Sequence, residues 1–276
     1  MPDRKRIVAM PGDNCALWYL SGSRIRSDSR RRIALGLRSL GAAALWLVLS
    51  LVSLVGWTAW LPGASAQDSA STPAPDIGVF EILSDRKRLG TEKFEIRPNG
   101  SGWVATGELQ LQGPDGKKVS ETSSLNLAST LMPTYYERVQ KSPLNAKLVA
   151  QFGPSETILE MTSTGEPYQQ IFYLPKNDLA VMDTNFFHHF SLLLRLYDRT
   201  KGMAQAFNVF IPQEALPGTM NLQYLSRESV PVGNTTKELD HFQAVTDELE
   251  IEIWATPEGA VQRISIPRAN LEVVRQ

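Results

Sequence analysis

The sequence predicts a mainly β protein: a curled antiparallel sheet, half-barrel or open barrel, with one inserted amphipathic helix and a signal or transmembrane helix ahead of it. Three observations carry this. Past residue 76 the dominant hydrophobic period is two, as in Leu109-Gln110-Leu111-Gln112 and Leu249-Glu250-Ile251-Glu252-Ile253. Such alternation sets one face on a core and the other in water. Turn signals punctuate it at meander spacing: Pro98-Asn99-Gly100, Pro114-Asp115-Gly116, Gly153-Pro154-Ser155, Thr164-Gly165-Glu166-Pro167, Pro231-Val232-Gly233-Asn234 and Pro257-Glu258-Gly259, in which Pro presets φ and Gly accepts positive φ. One segment switches to helical spacing, with Phe186, Phe187, Phe190, Leu193, Leu194 and Tyr197 in register.

The chain begins with a basic stretch, 1–39, read as a cytoplasmic tail or signal n-region. Its arginines Arg30, Arg31, Arg32 and Arg38 precede an apolar run from Leu40 to Trp60. Leu61-Pro62-Gly63 and Ala64-Ser65-Ala66 follow, a helix breaker and then a small-x-small cleavage site after Ala66. The segment 40–66 is therefore a signal peptide or a membrane anchor. Its 21-residue apolar run exceeds a usual signal core of roughly 7–15 residues and reaches the span of about 20 that crosses a bilayer. No Lys or Arg lies between Ser39 and Ser84, so the positive-inside rule leaves the N-terminus in the cytoplasm and sends the bulk outward. Residues 67–76, rich in Ser, Thr, Ala and Pro, are a flexible linker. The β-rich extracytoplasmic domain, periplasmic or secreted, is 77–276.

Within that domain the alternation and turns place strands at 77–83, 89–97, 102–112, 117–127, 134–141, 146–152, 156–163, 168–174, 205–211, 219–229, 237–246, 248–256, 260–267 and 270–275. The helix has three to four turns. Asp183, Thr184 and Asn185 offer capping oxygens before it, Gly202 stands after it, and Ser191, Arg195 and Asp198 form its polar side. It is expected to plug the concave side of the sheet, because a sheet this long must curl or close.

The first 66 residues hold nine of the 28 basic and three of the 29 acidic residues, leaving 19 basic and 26 acidic beyond them, a net charge of −7. A net-negative domain without a basic stretch is a poor binder of nucleic acid and of anionic lipid headgroups. The only cysteine is Cys15. The exported domain therefore uses no disulfide, thiolate metal site or Cys nucleophile, and 210 residues suffice to stabilise it through a core.

Spaced residues add a resemblance. Gly90-x-x-x-Phe94, Pro133-x-x-Tyr136, Asp183-x-Asn185 and the C-terminal series Glu252-Ile253-Trp254, Gly259, Arg263, Ile266-Pro267 and Leu271-Glu272 resemble a group of exported bacterial β-rich domains of unknown function. The plan is also coarsely similar to the half-barrel of periplasmic lipoprotein carriers. The first resemblance implies no catalytic residue; the second implies apolar-ligand binding, by analogy of fold.

Candidate chemistry is sparse. His188 and His189 stand about 100° apart on the helix, which does not favour a shared ion, and they and His241 are read as structural. Gly-x-Ser-x-Gly, Gly-x-x-x-x-Gly-Lys and Gly-x-Gly-x-x-Gly are all missing. Asp178 with Asp183, or Glu156 with Glu160, are the carboxylate pairs considered for hydrolysis. No catalytic residue, metal or cofactor is expected. An apolar or amphiphilic ligand, such as a lipid, would be met by Phe186, Phe190 and Leu194, with Arg195 for an acidic head. Arg199, four residues on, is a second candidate for that head, and Asp198 beside the two arginines makes a surface ion pair the more ordinary expectation. The sequence points to an exported non-enzymatic envelope protein that binds such a ligand or a protein partner, with membrane attachment through 40–60 if the leader is kept. An extracytoplasmic hydrolase with its site in the concave face near the helix is the alternative.

Overall fold

The computed structural model describes residues 74–276 except 114, 115, 144, 164, 233 and 234. The leader, the cleavage site after Ala66 and most of the linker lie outside the described residues. Among the described residues no helix is long and apolar enough to cross a membrane.

Every expected strand is present. They are β1 (Asp76–Ser84), β2 (Lys87–Asn99), β3 (Gly102–Gln112), β4 (Lys118–Leu127), β5 (Pro133–Ser142), β6 (Ala146–Phe152), β7 (Thr157–Thr162) and β8 (Tyr168–Phe172). After a three-residue strand β9 (Leu179–Val181) and the helix α1 (His189–Leu196) come β10 (Ala204–Ile211), β11 (Leu216–Val232), β12 (Thr235–Val245), β13 (Glu250–Ala255), β14 (Val261–Ile266) and β15 (Leu271–Arg275). All fifteen strands form one sheet, ordered β8-β7-β6-β5-β4-β3-β2-β1-β15-β14-β13-β12-β11-β10-β9. The first and last strands thus pair in its middle, Phe80 opposite Arg275. Every neighbour is antiparallel except β9, which runs parallel to β10.

Alternation becomes inward and outward facing as expected. In β13, Ile251, Ile253 and Ala255 are buried while Glu252 and Trp254 between them are less so. The sheet curls without closing, and its two ends overlap. Phe210 of β10 packs on Phe152 and Phe172, at 6.2 and 4.9 Å between ring centroids. β8 remains as one free edge. At the other end, all three residues of β9 are buried.

The helix departs from expectation in three ways. It has eight residues, about two turns. Its start lies at His188, whose side chain makes no capping hydrogen bond, while the side chain of Asp183 turns instead to the Asn185 N–H at 3.1 Å. Its polar side is only partly wet: Arg195 and Asp198 are half-buried, while Ser191 is fully buried and its hydroxyl accepts the Val261 N–H at 3.3 Å. The cause is common to these changes. The sheet surrounds the segment, so tertiary partners replace both the local cap and the solvent that an amphipathic surface helix requires. After Tyr197 the chain is extended and then turns through Arg199–Lys201, and Gly202, at φ 110°, ends that turn rather than the helix. β9 is also new. Three apolar residues beside a loop carry no period long enough to distinguish a strand.

Candidate functional site

The inner face of β2 to β5 carries charge where alternation calls for apolar residues. Glu92 shares its parity with Phe94 and Ile96, and Glu121 shares its parity with Leu125 and Leu127; Glu92 is 0% exposed and Glu121 1%. Their partners come from the helix entry and from β5. Glu92 accepts the backbone N–H of Phe187 at 2.8 Å and of His188 at 3.4 Å, and its Oε1 meets the His188 Nδ1. A carboxylate ninety-six residues away in sequence thus supplies the acceptors that the helix N-terminus lacks locally. Arg138 donates to Glu121 from Nε and Nη2 at 3.0 and 2.7 Å, and its Nε stands 3.8 Å from Asp183. The Tyr136 hydroxyl donates to Asp183, whose backbone N–H donates to His189 Nδ1 at 3.2 Å.

The two imidazoles lie edge to face, 4.5 Å between centroids, and both are fully buried with no partner for Nε2 among the described residues. Room for them depends on Gly107, where an added Cβ would stand 2.7 Å from the Phe186 ring and 2.9 Å from His188.

Burial dominates the electrostatics. Desolvation, opposed by the two backbone N–H groups, pushes Glu92 up to about 8, and it takes His188 down to about 3 and His189 well below its ordinary range. Glu121 is raised by desolvation against the pull of Arg138, and Tyr136 is raised well above its ordinary range by desolvation and by Asp183. Glu92 and His188 therefore hold one proton between them from about pH 3 to about pH 8. In the unfolded chain, with ordinary values of 4.5 and 6.5, the pair holds one proton between those values and none above. Between pH 6.5 and 8 the folded state binds the extra proton, so stability falls as pH rises, by about 2 kcal/mol over that interval. Below pH 4.5 the unfolded state binds more, so stability also falls toward acid. Urea titrations of the purified domain between pH 6.5 and 8.5 are expected to show the alkaline loss, and Glu92→Gln to remove it. An alkaline limb unchanged in Glu92→Gln contradicts the shared proton.

The residues singled out in the sequence sit as follows. Phe186, Phe190 and Leu194 belong to the core, at 0, 6 and 6% exposure. Arg195 is half-buried, its guanidinium 5.0 Å over the Trp103 ring and 3.8 Å from Asp76. Arg199 pairs with Asp240, and Asp198 accepts the Thr200 N–H at 2.9 Å instead of pairing with either arginine. Asp183 is buried while Asp178 is exposed, and Glu160 accepts a hydrogen bond from Gln169 at 3.0 Å. His241 lies apart, stacked on Trp254 and placed between Glu228 and Glu252 at 3.1 and 2.7 Å. Among the described residues no cluster of three His, Cys, Asp or Glu side chains is arranged to hold a metal ion.

Glu92, Glu121 and Arg138 are not recognisable from the sequence motifs as partners of the helix entry. The available signal was an acidic residue at a buried parity of a strand.

Two surface features complete the picture. An open depression of about 470 Å³ on the outward face of β2 to β5 is lined by Lys93, Glu95, Thr106, Glu108, Thr122 and Glu137, among others. At the free edge, β8 and the residue after it expose Tyr168, Ile171 and Tyr173, at 44, 48 and 79%.

No family model and no curated protein matches the sequence. Among solved structures, the chain is similar to the crystal structure of a β-barrel-like protein of domain of unknown function DUF1849 from Brucella abortus. The identity is 8% over 73% of this chain and 94% of that one, with a TM-score of 0.53. The two share a fold. A DUF1089 family protein from Pseudomonas aeruginosa matches at 13% identity over 64% of this chain and 90% of that one, with a TM-score of 0.36.

Proposed function

We propose that this chain is a non-enzymatic module of the cell envelope, exported by residues 40–66 and held at the membrane if 40–60 is retained, which binds a partner through its rim. One observation carries the reading. The interior is occupied by the protein's own aromatic residues, while apolar side chains meet water along the free edge at Tyr168, Ile171 and Tyr173. An uncovered edge strand with apolar side chains is a template for pairing with another chain. An apolar or amphiphilic ligand at Phe186, Phe190, Leu194 and Arg195 requires α1 to move off the sheet, as does the lipoprotein-carrier analogy. The net charge of −7 beyond residue 66 argues for contacts other than anionic lipid headgroups or nucleic acid.

An environment-sensitive apolar dye separates the two binding modes. The domain from Gln67 onward is expected to take up dye saturably, to lose that uptake in Ile171→Lys and Tyr173→Ser, and to keep it in Leu194→Trp. Uptake blocked by Leu194→Trp and untouched at the edge would place the ligand inside and reject the rim.

The hydrolase alternative is favoured by one geometric feature: the His188 ring has the Glu92 carboxyl on Nδ1 and an unpartnered Nε2. It is fully buried, so substrate reaches it only after an opening. Ester hydrolysis lost in His188→Gln and kept in Ile171→Lys would promote that reading.

A further inference from the structure

Most exposed edge strands carry features that discourage pairing: inward charges, prolines, bulges or a covering segment. The buried β9 fits that pattern, and β8 does not. From Tyr168 to Leu174 the chain reads Tyr-Gln-Gln-Ile-Phe-Tyr-Leu, with no charge and no proline. Its ladder with β7 runs from Thr157 opposite Phe172 to Met161 opposite Tyr168 without a bulge. The other side of β8 has no neighbouring strand in the sheet.

The flanks of this segment are arranged about its centre. Pro167 and Pro175 stand four residues to either side of Ile171, and Glu166 and Lys176 stand five residues to either side. When two such strands lie antiparallel with Ile171 opposite itself, every other pairing follows. Pro167 meets Pro175, so the residues that cannot donate to a ladder fall together at its ends. Glu166 and Lys176, in the bends that flank the strand, come to the same place at both ends with opposite charges. On the outward face Tyr173 lies across from Gln169, giving a continuous strip of Tyr173, Ile171 and their symmetry mates. Glu166 is exposed, and Lys176 uses one of its three protons on the Gly153 carbonyl at 2.6 Å, leaving two. No other register places both charge pairs and both proline pairs in coincidence.

We infer that β8 pairs with β8 of a second copy of this chain, antiparallel about Ile171, joining two fifteen-stranded sheets edge to edge. This rests on the rim-binding reading and names its partner. The interface is isologous, so it closes at two copies and leaves no edge to propagate.

The test uses the full chain in unfractionated extract of the cells that express it. Cys15→Ser removes the only cysteine, and Ile171→Cys then places one thiol per copy at the symmetry centre. A short bis-maleimide is expected to give a covalent dimer in high yield. Glu166→Lys or Lys176→Glu alone, bringing like charges to the same place, is expected to cut that yield at least fivefold, and the double exchange Glu166→Lys/Lys176→Glu to restore it. The same reagent on a cysteine at Ser226, on β11, serves as the collision control. A dimer yield at Ile171→Cys no higher than that control overturns the inference, as does a yield indifferent to the charge exchanges. If cross-linking fails while dye uptake still depends on Ile171 and Tyr173, the second copy is rejected and rim binding stands. If both fail, the rim-binding reading falls as well.

Discussion

Replacing Glu92 with Ala is expected to lower the unfolding free energy by about 3–5 kcal/mol, the combined cost of leaving several buried hydrogen-bonding groups without their shared partner. The side chain is 0% exposed, accepts the Phe187 and His188 backbone N–H groups and shares a hydrogen bond with the His188 ring. Deleting it leaves these groups unpaired with no water to replace the carboxylate, and each such buried group costs about 1–3 kcal/mol. Glu92→Gln retains an acceptor oxygen of the same shape and is expected to lose less, about 1–2 kcal/mol. Urea midpoints at pH 6.5 for the two variants provide the comparison. A loss below about 0.5 kcal/mol for Glu92→Ala, the range of ordinary surface changes, would mean that the helix entry is held by something else.

Phe186→Ala is expected to cost about 3–5 kcal/mol. The ring is fully buried, lies above Gly107, and sits against both imidazoles, edge-on to His188 at 5.9 Å and tilted to His189 at 6.3 Å. The space it leaves is bounded by sheet backbone on one side and by the Glu92 network on the other, and neither can collapse freely into it. Phe190→Ala, at the next turn, belongs to the same class, being 6% exposed in the same core. Because Phe186 and Glu92 hold one segment from two sides, their double variant should fall short of the sum by about 0.5–3 kcal/mol. Additivity within the error of the denaturation curves would show that the helix entry is not one cooperative unit.

Strand placement was legible from the sequence because a half-buried strand writes its burial into alternate residues. Leu109 and Leu111 face the core, as do Ile251 and Ile253, and the polar residues between them face out. The turns declared themselves through residues with restricted or special φ, as at Gly100, Gly116 and Gly259, all with positive φ. The helix was legible as a helix, from the spacing of its aromatic residues. Its length and start were not, since the acceptor that caps it sits on β2, and no local pattern encodes a partner ninety-six residues away.

The candidate sites divide in the same way. Tyr168, Ile171, Tyr173, the bracketing prolines and the Glu166 and Lys176 flanks all stand in one stretch of sequence. Sequence alone cannot say that this stretch is the sheet's last strand. That depends on β1 pairing with β15 in the middle of the sheet, which sends β8 to the rim. Glu92 and Glu121 look like ordinary strand charges until the sheet curls and turns their face inward. His188 and His189 then become neutral buried rings, because desolvation by the surrounding sheet outweighs the attraction of Asp183. The sequence by itself determined which segments are strands and which faces are apolar, since both are local consequences of backbone geometry and side-chain hydration. Which strand is left unpaired, and which charges lose their water, was decided only by tertiary structure, because pairing order and burial depend on contacts between residues far apart in the chain.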